Sequence, residues 1–520
     1  RMLRGNTVGG LSVENWFDLA ASVNQVRLGN ERTNFITDAM FGMINLDYKN
    51  FFFVEGTLRQ DRTSTMNPDN NSFVYPSVNS SLVLSDAFAM PSAFNLLKLR
   101  ASWGIVGNYP ETYRANIAYN QNSLNEQGGS PPILYTTIPR DFGNDGIAPE
   151  MKHEYELGLE GAMYNGRFRF DVAYYNAQVR DQILPLTVPR SSGAGSVLTN
   201  IGTLRNTGVE LQLSGTPVST KDVQWDVTLN AAKNWNKVEK LAPGLDELLH
   251  SDWDGNAAQM VSRVGESMGD LLAHPIATDD QGRKIVDPNG LYRVDPDTLI
   301  TVGNAMPKVI GGLVSGLKVK NFTLDVVADY RIGGHVIPTA LNWMTSRGLT
   351  EESLNFSDES RGGLRYYQTE DGTRIQTTGN EGPNGEQVYT DGIILDGVQA
   401  DGTPNDVIAS NPEYYWIVYN WGGPQYSPNT RYELYIKENN YVKLRELSLG
   451  YSLPKKAVER IGLTSLNFSV YGRNLFYFYR SIKNMDAEQL TAGSKWFQNV
   501  NNAGNNPSTR TFGLRLRASL

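Results

Sequence analysis

The 520-residue sequence contains no cysteine and only four histidines. The first absence excludes disulfides, cysteine-ligated zinc and thiol catalysis. His153, His250, His274 and His335 stand far apart, without the spacing of metal ligands, and no GxSxG, HExxH or phosphate-binding loop occurs. No run reaches the roughly 18 apolar residues of a membrane-crossing helix. Hydrophobic residues make up 40% of the chain, low for an ordinary packed globule. The net charge of −8 argues against a nucleic-acid partner. The first residues, Arg1-Met2-Leu3-Arg4, carry no signal-peptide pattern. Catalysis, a bound metal and a cofactor are therefore not expected.

What the chain has in quantity is aromatic and glycine: 26 Tyr, 19 Phe, 9 Trp and 50 Gly. In a polar chain with short apolar runs this points to an all-β protein. Period-two alternation recurs throughout. Met40, Gly42, Ile44, Leu46 and Tyr48 share one parity, and after a tight turn at Lys49-Asn50 a second run begins at Phe51. Leu97, Leu99, Ala101, Trp103 and Ile105 oppose Lys98, Arg100 and Ser102. Tyr155, Leu157 and Leu159 oppose Glu154, Glu156 and Glu160. An Asn165-Gly166 hairpin signal then leads to Phe168, Phe170, Val172 and Tyr174 against Arg167, Arg169 and Asp171. The pattern predicts about fourteen strands. Between Leu444 and Leu447 the apolar parity slips, which predicts a β-bulge near Arg445-Glu446.

Connections alternate in length. Short ones are expected at Lys49-Asn50, Asn165-Gly166, Thr216 to Lys221, Lys320-Asn321 and Pro454 to Gly462. Long ones are expected at about 107–151, 181–203, 240–306, 335–438 and 478–507. Short turns on one side and long loops on the other characterise outer-membrane barrels, whose strands need about ten alternating residues to cross. In such a wall the apolar parity meets lipid and the charged parity a wet or plugged lumen. The aromatics at run ends (Tyr48 to Phe53, Tyr174-Tyr175, Tyr441, Tyr451, Phe476 to Tyr479) fit interfacial girdles.

Three blocks carry a family likeness. "NIGTLRNTGVELQLSG" (Asn200 to Gly215), "LKLRASWGIVGN" (Leu97 to Asn108) and, most closely, "NYVKLRELSLGYSLPKKAVERIGLTSLNFSVYGRNLF" (Asn440 to Phe476) resemble SusC/RagA-type TonB-dependent outer-membrane transporters. The resemblance implies that residues 1–520 are the C-terminal part of a roughly 22-stranded transmembrane antiparallel barrel, with signal peptide, TonB box and plug outside this chain. It implies import of oligosaccharides or oligopeptides across the outer membrane of a Gram-negative, Bacteroidetes-like bacterium. The implied partners are TonB, acting through the plug, and a SusD-like lipoprotein lid, with transporter–lid pairs forming a dimer. A lid-less siderophore or cobalamin receptor and a soluble β-rich adhesin or glycan-binding protein are the alternative readings.

The densest aromatic stretch, Pro412 to Tyr426, lies in the longest loop. Trp416, Tyr419, Trp421 and Tyr426 are candidate substrate or lid contacts, because exposed rings stack on sugars or pack on proteins. The same rings could instead fold the loop upon itself. Arg100, Glu154, Glu156, Arg167, Arg169, Arg515 and Arg517 are the expected lumen-facing charges. Asp287, Asn289 and Gly290 resemble a calcium loop only faintly, since further oxygen ligands and a closing Glu are missing; an Asx- and Pro-rich turn is the expectation there. In the last stretch Phe512, Leu514, Leu516 and Leu520 oppose Arg515 and Arg517. This strand is expected to close the barrel against strands preceding residue 1.

Overall fold

The computed structural model describes residues 2–519 apart from 116–118, 125–132, 254–255, 420–430, 489, 491–499 and 501–507. A two-stranded ribbon opens the chain, β1 (Met2–Leu11) with β2 (Ser22–Glu31). Thirteen strands then form one sheet: β3 (Thr37–Tyr48), β4 (Phe52–Thr63), β5 (Ser72–Val83), β6 (Phe94–Asn108), β7 (Glu150–Met163), β8 (Phe168–Arg180), β9 (Thr203–Ser219), β10 (Val223–Lys240), β11 (Val309–Val319), β12 (Phe322–Ile332), β13 (Tyr441–Ser452), β14 (Ser465–Arg480) and β15 (Thr511–Ser519). Each strand pairs with its neighbour in chain order, so the topology is a pure antiparallel meander. Among the described residues the sheet ends on β3 at one side and β15 at the other.

The register explains the alternation. Residues opposite one another across antiparallel strands share a face, so rows can be followed from strand to strand. One row reads Val218, Trp225, Leu317, Leu324, Leu449, Val470 and Leu514, apolar across β9 to β15. The adjacent row on the opposite face reads Asp226, Gly316, Asp325, Ser448, Tyr471 and Gly513. The apolar face is uncovered: Leu514 is 69% exposed, Leu449 50% and Leu157 53%. A band of this extent is foreign to a water-facing surface.

Hairpin chemistry sets the short side. Lys49 and Asn50 both have positive φ (51° and 56°), the signature of the I′ turn that matches strand twist. Tyr164, Asn165 and Gly166 do likewise between β7 and β8. The turn expected at Thr216 to Lys221 lies further on, because β9 continues to Ser219 past a register shift between Gly215 and Val218. The bulge is where the parity slip puts it: Val327 faces Glu446 while Ala328 faces Leu444, leaving Arg445 without an opposite residue. Leu444 before it and Leu447, Leu449 and Tyr451 after it thereby keep one face. Within the thirteen-stranded sheet the unannounced strand is β5. Its Ser-rich sequence and central Pro76 hide it, and its ladder to β6 stops at Ser77 beside that proline, which has no N–H to donate.

Two of the long connections are folded rather than irregular among their described residues. Residues 241–308 form a four-stranded sheet from Glu247–Trp253, Ala258–Arg263, Asp270–Ala273 and Ile300–Asn304. Residues 333–440 supply helices α1 (Thr339–Ser346) and α2 (Asn411–Tyr419) and a second four-stranded sheet. Their apolar faces meet in one core. Ala257, Met260 and Leu271 of the first pack with Ile337, Tyr415, Val418, Tyr419 and Tyr435 of the second, and with Val500 from the last long connection. Most of the best-buried apolar residues thus lie in this cap, while the strands of the wall carry few.

Five tight hairpins stud the cap: Asp279–Arg283, Asp287–Leu291, Thr369–Thr373, Gly382–Glu386 and Gln399–Thr403. In each, the first N–H donates to the fifth carbonyl and the fourth residue's N–H donates back to the first carbonyl. The fourth residue is always glycine (Gly282, Gly290, Gly372, Gly385, Gly402), with φ between 77° and 89°. A type I turn closed by a left-handed residue requires this.

Candidate functional site

The inner face of the sheet carries a continuous polar row. Lys98, Glu160, Asp171, Gln212, Asn230, Gly312, Asp329 and Lys443 follow one another across eight strands, β6 to β13. Arg100 bridges to this row, with Nη2 2.7 Å from Asp171 Oδ1 and Nη1 3.5 Å from Glu160 Oε2. Two grooves of about 760 and 750 Å³ run along the face. Arg167 and Arg169 line the first with Asp171 and Asp226. Arg100 and Glu156 line the second with Glu210 and Asp329. Glu154 shares their face and pairs with Lys152. Arg515 and Arg517 lie opposite Ser469 and Asn467, away from Leu514 and Leu516, and the Arg515 guanidinium stands 5.3 Å from the centre of the Tyr471 ring.

The expected aromatic contacts divide. Tyr419 is buried in the cap core, where its hydroxyl donates to Glu352 Oε1 at 2.8 Å. Its ring is 5.6 Å from that of Tyr415, whose hydroxyl donates to the Glu352 carbonyl at 2.6 Å. Burial, reinforced by the Glu352 carboxylate, pushes both phenols well above their ordinary pKa. Tyr419 thus belongs to the rings that fold the loop upon itself. Trp416 points outward, 43% exposed, with the Arg347 guanidinium 4.0 Å from its ring centre. Arg347 also lies 5.0 Å from Trp343, itself 44% exposed, so two tryptophans flank one cation. The i, i+4 spacing of Trp343 and Arg347 at the end of α1 is the sequence signal for this stack. Trp421 and Tyr426 lie outside the described residues.

The calcium-like stretch is a hairpin. Asp287 Oδ1 accepts from Arg293 Nε at 2.7 Å and Asn289 Oδ1 from the Leu291 amide at 3.1 Å. Among the described residues no group of three or more His, Asp or Glu side chains is disposed to hold a metal. Also among them, no helix is long and apolar enough to cross a membrane.

One feature of the inner face has no counterpart in the sequence reading. Lys443 and Arg445 converge on Glu488 of the β14–β15 connection, with Lys443 Nζ 2.5 Å and Arg445 Nη1 2.6 Å from Oε2. The carboxylate is too distant in sequence for spacing to pair it with either cation.

Residues 6–268 match the family model described as TonB dependent receptor-like, beta-barrel. TonB-dependent receptor P3 of Formosa agariphila is 24% identical over 463 residues, 85% of this chain and 41% of that one. TonB-dependent receptor SusC of Bacteroides thetaiotaomicron is 27% identical over 307 residues, 54% of this chain and 30% of its own. Among solved structures, a chain of the RagAB peptide transporter superposes with a TM-score of 0.66 at 19% identity, covering 97% of this chain and 50% of that one. The chain therefore spans half or less of the length of these relatives. The meander, the two-faced wall, the alternation of turns and loops and the family match agree: the fold is an all-β transmembrane barrel wall, and the chain belongs to the β-barrel family of TonB-dependent receptors.

Proposed function

We propose that this chain is the C-terminal part of the barrel of a TonB-dependent importer. It moves oligosaccharides or oligopeptides across the outer membrane of a Gram-negative bacterium together with a SusD-like lipoprotein lid. Strands and a plug encoded elsewhere in the full protein join β3 to β15 and fill the lumen, and TonB acts through that plug. The observation that carries this reading is the pairing of a charged inner wall with a folded cap on the long-loop side. The wall offers a wet path, and the cap offers a rigid surface above it. The likeness to SusC and to the RagAB transporter supports the same reading. Trp416, held by Arg347, is the residue of the cap best suited to anchor a lid, since tryptophan and arginine dominate protein–protein hot spots.

The test is co-purification of the lid with the full-length transporter. Removing residues 400–430 would take out α2 and with it Tyr415 and Tyr419 of the cap core, so a point substitution is the cleaner cut. Trp416→Ala should weaken lid binding by about 1–2 kcal/mol, roughly tenfold, while the barrel keeps its heat-resistant mobility on gels. Unchanged lid affinity would remove Trp416 from the interface. Failure of any lipoprotein to co-purify with the unaltered protein would remove the lid.

A further inference from the structure

Two cations on the inner face of β13 share one carboxylate that does not belong to the wall. Lys443 is 1% exposed. Its Nζ lies 2.5 Å from Glu488 Oε2 and 3.3 Å from Ser508 Oγ, and 4.8 Å from the centre of the Tyr477 ring. Arg445, left unpaired in the ladder by the bulge, reaches the same Glu488 oxygen and, through Nη2, Asp329 Oδ2 at 2.6 Å. Glu488 stands on a strap, residues 481–488, that leaves β14 and folds back on the wall. Asp486 on this strap accepts from the Tyr477 hydroxyl at 2.5 Å and the Ser508 amide at 2.7 Å. The strap is also tied to the cap. Ile482 and Met485 pack with Val336 and Leu341 at the base of α1, and Asn439 Nδ2 donates to the Ala487 carbonyl at 2.8 Å.

Lys443 is buried and Arg445 partly so, and cations of like charge held this close repel each other and lose hydration, so the pair calls for an anion. Beside them opens a pocket of about 450 Å³, lined by Lys443, Tyr477, Arg480, Asp486, Ser508 and Arg510. We propose that Lys443 and Arg445 form a carboxylate-binding site on the inner wall, and that Glu488 fills it at rest as a built-in stand-in. A ligand bearing carboxylates displaces the strap, and because the strap is packed under α1, its release is felt in the cap. The site is independent of the import reading; only the identification of its ligand as cargo rests on that reading.

The site is tested first with acetate as the probe, on the full-length protein in detergent. Glu488→Ala removes the carboxylate that the two cations share, leaving Asp329 to Arg445 alone, and should lower the thermal midpoint in sodium chloride. Sodium acetate at equal ionic strength should restore most of the loss, and should not do so in Glu488→Ala/Lys443→Met. Equal midpoints for Glu488→Ala in the two salts would overturn the site. The strap is tested in the unaltered protein by hydrogen exchange at the amides of residues 485–488. Hexaglutamate or hexagalacturonate should speed exchange there several-fold, the effective one identifying a peptide or a uronic-acid glycan as the source. Exchange unmoved by either would overturn displacement of the strap. Neither measurement involves transport, so both stand apart from failure of the import reading.

Discussion

Leu313 and Val314 are neighbours at the middle of β11, and their exposures are similar, 37% and 45%. They differ only in face. Leu313 lies between Leu229 and Ala328 on the apolar side, and Val314 lies between Thr228 and Val327 on the side of the polar row. If both faces met water, arginine at either position would change stability by no more than about 0.5 kcal/mol. If the apolar face meets lipid, Leu313→Arg places a guanidinium near the bilayer midplane, at a cost of about 2–4 kcal/mol. That is a factor of roughly 30 to 1000 in the folding equilibrium. Val314→Arg opens onto the wet grooves and should stay within about 1 kcal/mol. The two variants of the full-length protein, refolded into lipid vesicles and titrated with urea by tryptophan fluorescence, measure the difference directly. Equal shifts, or the larger one at Val314, would refute the assignment of faces and with it the membrane wall.

Other consequences concern the cap. Gly290 has φ of +81°, and a Cβ there would stand 3.2 Å from Ala409 and from the Val407 carbonyl oxygen, whereas Gly385, at +87°, has open space. Gly385→Ala should cost about 1 kcal/mol from the left-handed backbone alone, and Gly290→Ala about 2–3 kcal/mol, read as earlier cleavage of the loops in limited proteolysis. His250, hydrogen-bonded to Ser262 Oγ at 2.8 Å, is pushed down to about 4 by burial. Its folded pKa lies below the unfolded value near 6.5, so the unfolded chain binds the extra proton, and cap stability falls as pH drops from about 6.5 to 4, by at most about 3 kcal/mol. His250→Asn should flatten that slope in a proteolysis–pH series. Because the Asp287 carboxylate is occupied by Arg293, removing calcium with a chelator should leave the thermal midpoint of the cap unchanged; a drop would restore the calcium loop.

The strands of the wall were legible because lipid and lumen demand opposite residues at every step, so period two persists through β7, β8, β12 and β15. Even the bulge showed, since a slip in parity has one physical cause. β5 escaped because Ser77, Ser80, Ser81 and Pro76 dilute the pattern. The cap escaped for a different reason. Its order comes from contacts between segments far apart, such as Met260 with Tyr415, and each segment alone reads as a polar loop. In the candidate site the row from Lys98 to Lys443 follows from parity, and the outward turn of Trp416 follows from none of it. Glu488 could not be assigned to Lys443 and Arg445 because 43 residues separate it from the nearer of them and no periodicity links loop to strand.

The bulge at Arg445 also constrains how the sequence can change length. A strand with two unlike faces tolerates the gain or loss of residues only in pairs, because each single step exchanges the faces beyond it. β13 has already taken one such step and is corrected by the unpaired Arg445. Deleting that residue alone would straighten the strand and leave Leu447, Leu449 and Tyr451 toward lipid, whereas deleting any other single residue of β13 with the bulge in place would exchange the faces beyond it. Insertions and deletions among relatives should therefore gather in the cap and the turns, and any within β13 should be even in number unless the bulge is lost with them.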